Sequence, residues 1–64
     1  MSGTIGTSIK NLRIAQQVTQ ADLAKAVGIS VQAVSKWECG GTPDIQLLPA
    51  IADFFDVTID QLFG

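Results

Sequence analysis

Histidine is absent from this 64-residue chain, and cysteine occurs once, at Cys39. Without histidine there is no Ser–His or Cys–His nucleophilic pair and no cysteine/histidine cluster to hold zinc. One cysteine cannot close an intramolecular disulfide. The chain also lacks a P-loop or a Gly-x-Gly-x-x-Gly phosphate cradle. Asp56 and Asp60 stand at helical spacing, but their position around a helix cap reads as solvated surface rather than as a catalytic carboxylate pair. An enzyme is therefore the least expected class, with no cofactor and no metal. Nothing approaches the roughly 20 apolar residues of a membrane span, and no positively charged start leads into an apolar stretch. A cytoplasmic location, with no membrane partner, is expected.

Strand signals are missing as well: no Val/Ile/Thr-rich alternating run occurs, and glycine reads as confined to ends and turns. Hydrophobic residues make up 47% of the chain, so apolar material is plentiful for a small helical core. It is needed, because a fold of this size hides only about 60% of the surface its unfolded chain exposes. Residues 1–64 read as one all-α domain, with Met1 to Gly3 as a loose start.

Five helices are expected. Ile5, Ile9 and Leu12 share one face of the first, with Lys10 and Arg13 turned away. Thr19 with Asp22 forms a capping box that opens the second, Leu23, Ala24 and Val27 repeat at helical spacing, and Gly28 suits a left-handed stop. Ser30 caps the third, whose inward stripe is Val34 and Trp37 and whose end lies near Cys39-Gly40. Leu48, Ile51, Ala52 and Phe55 form the buried stripe of the fourth. Proline deep inside a helix costs about 3 kcal/mol, so Pro49 is expected at the first helical position, with Asp44 to Leu47 as a turn before it. Thr58 with Gln61 is a second capping box, opening a last turn through Ile59, Leu62 and Phe63.

Thr19 to Glu38, TQADLAKAVGISVQAVSKWE, is thus two short helices around a glycine corner. This segment is similar to the repressor/Cro-type helix-turn-helix family, also called the xenobiotic-response-element family. The likeness extends through the upstream IGTSIKNLRIAQQV and the downstream PDIQLLPAIADFFDVTIDQLFG, and so covers nearly all of the chain from about Ile5. It implies a compact five-helix, lambda-repressor-like domain with a helix-turn-helix core at about 19–39, and a sequence-specific regulator of transcription, expected to be a repressor. In that docking class the second helix of the pair lies in the major groove of double-stranded DNA.

The outer positions of that helix are Val31, Gln32, Ser35 and Lys36, the expected base readers. Gln32 can pair bidentately with adenine, Lys36 can donate to guanine or to phosphate, and Val31 can meet a thymine methyl. Phosphate contacts are expected from Lys10, Lys25 and Gln20, the last at a helix start and at the position where the family commonly places a glutamine against the backbone. The Gly40-Gly41-Thr42 loop offers further donors, Gly41 and Thr42. Arg13 and Glu38 match family positions that form an ion pair between helices 1 and 3. Two departures stand out: only two residues separate Gly40 from Pro43 where relatives usually have three, next to a Cys39 that replaces a polar or basic residue, and the chain as a whole is acidic.

The net charge of −2 is unusual for a nucleic-acid partner, but it is polarised. Through Trp37 the cations Lys10, Arg13, Lys25 and Lys36 face Asp22 alone, a balance of +3, whereas from Glu38 onward there are five acids and no cation. The acidity keeps open an alternative, a protein-binding module of the antitoxin or repressor-antagonist kind on the same fold. Small modules of this class read inverted-repeat operators as pairs, so a homodimer is expected, with Ile59, Leu62 and Phe63 as the candidate dimer surface. A fused or separate effector domain is left open.

Overall fold

The computed structural model describes residues 5–63. It holds five α-helices, α1 (Ile5–Ala15), α2 (Gln20–Val27), α3 (Val31–Glu38), α4 (Leu48–Phe55) and α5 (Ile59–Leu62), with a 3-10 turn at Ile45–Leu47 before α4. No strand occurs among the described residues, and the architecture is all-α. The reading of Met1 to Gly3 lies outside them.

The local signals act where the sequence put them. At the start of α2 the Asp22 amide donates to Thr19 Oγ1 at 3.0 Å, and the Thr19 amide donates to Asp22 Oδ2 at 3.0 Å. Thr58 and Gln61 repeat this reciprocal pair at α5, and the Ala33 amide donates to Ser30 Oγ at α3. Each such cap stabilises its helix by about 1 kcal/mol, which matters for helices of four to eight residues that would not form alone. Gly28 ends α2 at φ 83°, where its own amide and that of Ile29 both donate to the Ala24 carbonyl.

One core joins the helices. Ile9, Leu23, Val34, Ile51 and Leu62 are fully buried, and Ile5, Ala24, Trp37, Leu48, Ala52 and Phe55 complete the cluster. Within it α3 packs on both α1 and α2, α4 on α2, and α5 closes against α4 and α1. Leu62 therefore does not belong to a dimer surface. The packing of the short α5 against α4 and α1 turns Leu62 inward and leaves Ile59 and Phe63 outside at 40% and 58% exposure.

Three further expectations are revised. The regular helix α4 begins at Leu48 rather than Pro49, because the 3-10 turn runs straight into it; Pro49 still lies in the first turn, where its missing N–H is harmless. Leu48 adopts helical angles although a following proline disfavours them, and that geometry delivers its side chain to the core. Glycine is not confined to ends and turns: Gly6 is buried inside α1, where a Cβ would sit 1.8 Å from the Trp37 carbonyl oxygen. Arg13 does not turn away with Lys10 but lies half-buried against α3.

Two helix ends use a left-handed residue other than glycine, Gln17 at φ 60° after α1 and Asp56 at φ 59° after α4. Such a conformation costs about 1 kcal/mol. At α1 the chain is turned by the Val18 amide donating to the Arg13 carbonyl at 3.0 Å. Beside it, Gln16 Nε2 donates to the Phe55 carbonyl at 2.9 Å and so ties the end of α1 to the end of α4.

Candidate nucleic-acid interface

With Val34 and Trp37 locked into the core, the 3.6-residue period turns the opposite side of α3 outward. Val31, Gln32 and Lys36 are exposed and Ser35 is half-buried at the margin, so the four expected base readers share one face. Val31 is 41% exposed, which frees its methyl groups for contact instead of sealing them under the turn. Lys10 on α1 and Lys25 on α2 are also exposed.

Behind this face Glu38 links three helices. Arg13 grips it with both arms of the guanidinium, Nε to Oε2 at 2.8 Å and Nη2 to Oε1 at 3.1 Å, while Nη1 donates to the Val18 carbonyl at 3.0 Å. Gln20, the first residue of α2, donates from Nε2 to Glu38 Oε1 at 3.0 Å. Burial pushes the Glu38 carboxyl up, but the hydrogen bonds from Arg13 and Gln20, with the charges of Arg13 and Lys10, outweigh it and hold the carboxyl below its ordinary value. The bond to Glu38 raises the Arg13 guanidinium above its ordinary value. Arg13 is thus a brace, which leaves the three lysines as the cations of the outer surface.

This network alters the part available to Gln20. One amide N–H of its side chain is engaged inward, so only the second can meet a phosphate, from a side chain whose rotamer Glu38 holds in place. Glu38 lies 18 residues from Gln20, and nothing local to either residue announces the bond.

The Gly41 amide is not available to phosphate. It donates to the Lys36 carbonyl at 2.9 Å, the Cys39 amide donates to the Ser35 and Lys36 carbonyls and the Gly40 amide to that of Trp37, so these donors close the end of α3. Thr42 has a different place. With Ser30, Gln32, Ala33, Lys36 and Trp37 it lines a groove of about 260 Å³. Cys39 is exposed at the end of α3.

Comparison with known proteins places this arrangement. Over 57 residues the chain is 44% identical to the HTH-type transcriptional activator BcrR of Enterococcus faecalis, covering 88% of this chain and 28% of the relative. It is 40% identical over 57 residues to the cryptic phage CTXphi transcriptional repressor RstR of Vibrio cholerae, covering 88% of this chain and 51% of that protein. The chain thus spans between about a quarter and half the length of these two relatives. An uncharacterized HTH-type transcriptional regulator of Methanocaldococcus jannaschii is 39% identical over 56 residues, with 85% of its length covered. Among solved structures, the P22 c2 repressor protein in complex with a synthetic operator superposes with a TM-score of 0.87 at 28% identity, over 98% of this chain and 97% of that one. A helix-turn-helix family profile matches residues 9–62. From the capped α2, the glycine corner and the braced α3 to this match across most of its length, the chain belongs to the repressor/Cro-type helix-turn-helix family.

Proposed function

We propose that this domain is a sequence-specific double-stranded DNA-binding regulator of transcription that lays α3 in the major groove. The observation that carries the reading is the division of α3: one side is fixed by Val34, Trp37 and Glu38, and the other presents Val31, Gln32 and Lys36 exposed, with Ser35 half-buried at its margin. A rigid helix with polar and methyl-bearing side chains outward meets the donor, acceptor and methyl pattern of base edges. The likeness to a repressor held on an operator supports it. Lys10 and Lys25, with the second N–H of Gln20, supply phosphate contacts. Of the proteins compared above, one is named an activator and two are named repressors; repression is the reading here, because blocking a promoter requires no added activating surface.

Two copies bind an inverted repeat, with Ile59 and Phe63 as the self-contact. Among the described residues no helix is long and apolar enough to cross a membrane, in keeping with work on DNA in the cytoplasm. The test is selection of a random duplex pool on the purified chain at low salt, followed by sequencing. Enrichment of an inverted repeat is expected, and Gln32→Ala should relax the preference at one base pair, with a loss of about 1–3 kcal/mol of discrimination there. Retention without enrichment would remove sequence reading. No retention by a folded chain would favour the protein-binding alternative.

A further inference from the structure

Two acids border the two apolar side chains that α5 leaves outside. Ile59 and Phe63 are 40% and 58% exposed, and one helical turn back from Phe63 its neighbours are Ile59 and Asp60, about 5–6 Å away between Cβ atoms. Asp56, the left-handed residue that ends α4, lies three residues before Ile59, a reach of at most about 11 Å. Both acids are exposed, and among the described residues neither joins an ion pair. No cation offsets them nearby in the chain, which has neither lysine nor arginine after Lys36. Of the two helices on which α5 packs, α4 carries no cation, and the cations of α1 act on Glu38 at the end of α3: Arg13 binds it, and the charge of Lys10 helps to hold its carboxyl low.

A self-contact through this face brings like charges together. In a two-fold contact both copies offer the same patch, so whatever borders Phe63 in one copy borders it in the other. With Ile59 and Phe63 at the centre, the Asp56 and Asp60 carboxylates of the two copies come within roughly 10–15 Å of one another, a range at which they repel. The Debye length is about 30 Å at 0.01 M salt, about 10 Å at 0.1 M and about 3 Å at 1 M, so the repulsion is felt in dilute salt and silenced in concentrated salt. The apolar contact is not weakened by salt. Phosphate contacts behave in the opposite way, since binding through neutralised phosphates weakens as salt rises.

We infer that the pairing of two copies through α5 is held back by Asp56 and Asp60 at low ionic strength and released by salt, so that cooperative filling of an inverted repeat rises with ionic strength while the grip of each copy on DNA falls. This rests on the DNA-binding and pairing reading above. In dilute salt single copies occupy half-sites. In concentrated salt isolated half-sites lose the domain first, because only paired copies keep the added contact. The two opposed dependences make occupancy of an inverted repeat, per copy, less sensitive to ionic strength than occupancy of a half-site, and discrimination between the two rises with salt.

The experiment is sedimentation equilibrium of the wild-type chain and of the Asp56→Asn/Asp60→Asn double variant in sodium chloride from about 0.05 M to about 0.5 M, with fluorescence anisotropy of both on the selected inverted repeat and on one half-site at the same salts. Asparagine takes left-handed angles as aspartate does, so the turn after α4 is kept, and thermal melts verify the fold. Wild-type self-association should tighten about threefold across the range, the screening of a few like-charge pairs at that distance. The double variant should already be tighter by about that factor at the lowest salt and nearly flat thereafter. On DNA, half-site affinity should fall with salt while the ratio of whole-site to half-site affinity rises, and in the double variant that ratio should start high and stay level. Self-association that is flat or weakens with salt in the wild type, or that tightens equally in both chains, overturns the repulsion and leaves the pairing standing. If neither chain self-associates at any salt and the whole site never exceeds the half-site, the pairing itself falls, and this inference with it. A half-site affinity indifferent to salt overturns the DNA-binding reading on which both depend.

Discussion

Glu38 is the residue on which most of the geometry turns, since its carboxylate receives bonds from α1 and α2 while standing at the end of α3. Removing one partner of a partly buried, hydrogen-bonded pair leaves the other without compensation, and Glu38→Gln should destabilise the domain by about 2 kcal/mol. A dependence on pH follows. The folded carboxyl lies below its ordinary value of 4.5, so over that window the unfolded chain binds more protons. The stabilisation from Glu38 is therefore complete above pH 4.5 and is lost as pH falls through the lower folded value. Asp22, held low by its bonds with Thr19, contributes an acid limb of its own. Thermal melts from pH 7 to pH 3 should show a steeper fall for wild type than for Glu38→Gln; parallel curves would mean that the carboxylate gains nothing from Arg13 and Gln20.

Among elements, the close crossing of α1 and α3 depends on Gly6. Replacing a helical glycine by alanine gains about 1 kcal/mol in propensity. Here that gain loses to overpacking, which costs about 1–3 kcal/mol and more where backbone opposes it, because the new methyl would sit 1.8 Å from the Trp37 carbonyl oxygen. Gly6→Ala should lower the melting temperature and, by lifting α1, loosen the Arg13–Glu38 pair. An unchanged melt would mean that α1 can shift without penalty. Gly28 makes the contrast. Nothing lies within 4 Å of a Cβ there, and the obstacle to substitution is its left-handed φ of 83° alone. One glycine serves contact between elements and the other serves a bend within the chain.

For the molecule as a whole, the longest extent is 29 Å, and two copies side by side can set their reading helices about 34 Å apart, one turn of duplex. The surface that would join them must be apolar and outside the core, which Ile59 and Phe63 satisfy and the fully buried Leu62 does not. Phe63→Glu should leave the melting temperature of the single domain nearly unchanged while weakening binding to a full inverted repeat more than to one half-site. Leu62→Ala should instead destabilise the fold by about 2–4 kcal/mol, as a core truncation does. Equal effects of Phe63→Glu on whole and half sites, measured by gel shift, would place the self-contact elsewhere.

The caps of α2, α3 and α5 and the stop of α2 were readable from the chain because they are set by neighbours three or four residues apart: Thr19 with Asp22, Ser30 with the Ala33 amide, Thr58 with Gln61, and Gly28 where the backbone turns left-handed. So was the outward face of α3, since Val34 and Trp37 mark its inner side and the helical period assigns the rest. The burial of Gly6 under Trp37, the bond from Gln20 to Glu38, and the inward turn of Leu62 beside exposed Ile59 and Phe63 were decided only by tertiary packing. Each depends on where another helix lies, and no local pattern encodes that. Gln17 and Asp56 show another limit, for they adopt left-handed angles without the glycine that would announce them, in turns closed by the Val18 amide on the Arg13 carbonyl and the Val57 amide on the Ala52 carbonyl. Local hydrogen bonding wrote the elements into the sequence, whereas the approach of one helix to another, at separations of a few ångströms between residues far apart in the chain, decided which side chains brace the fold and which remain to meet a partner.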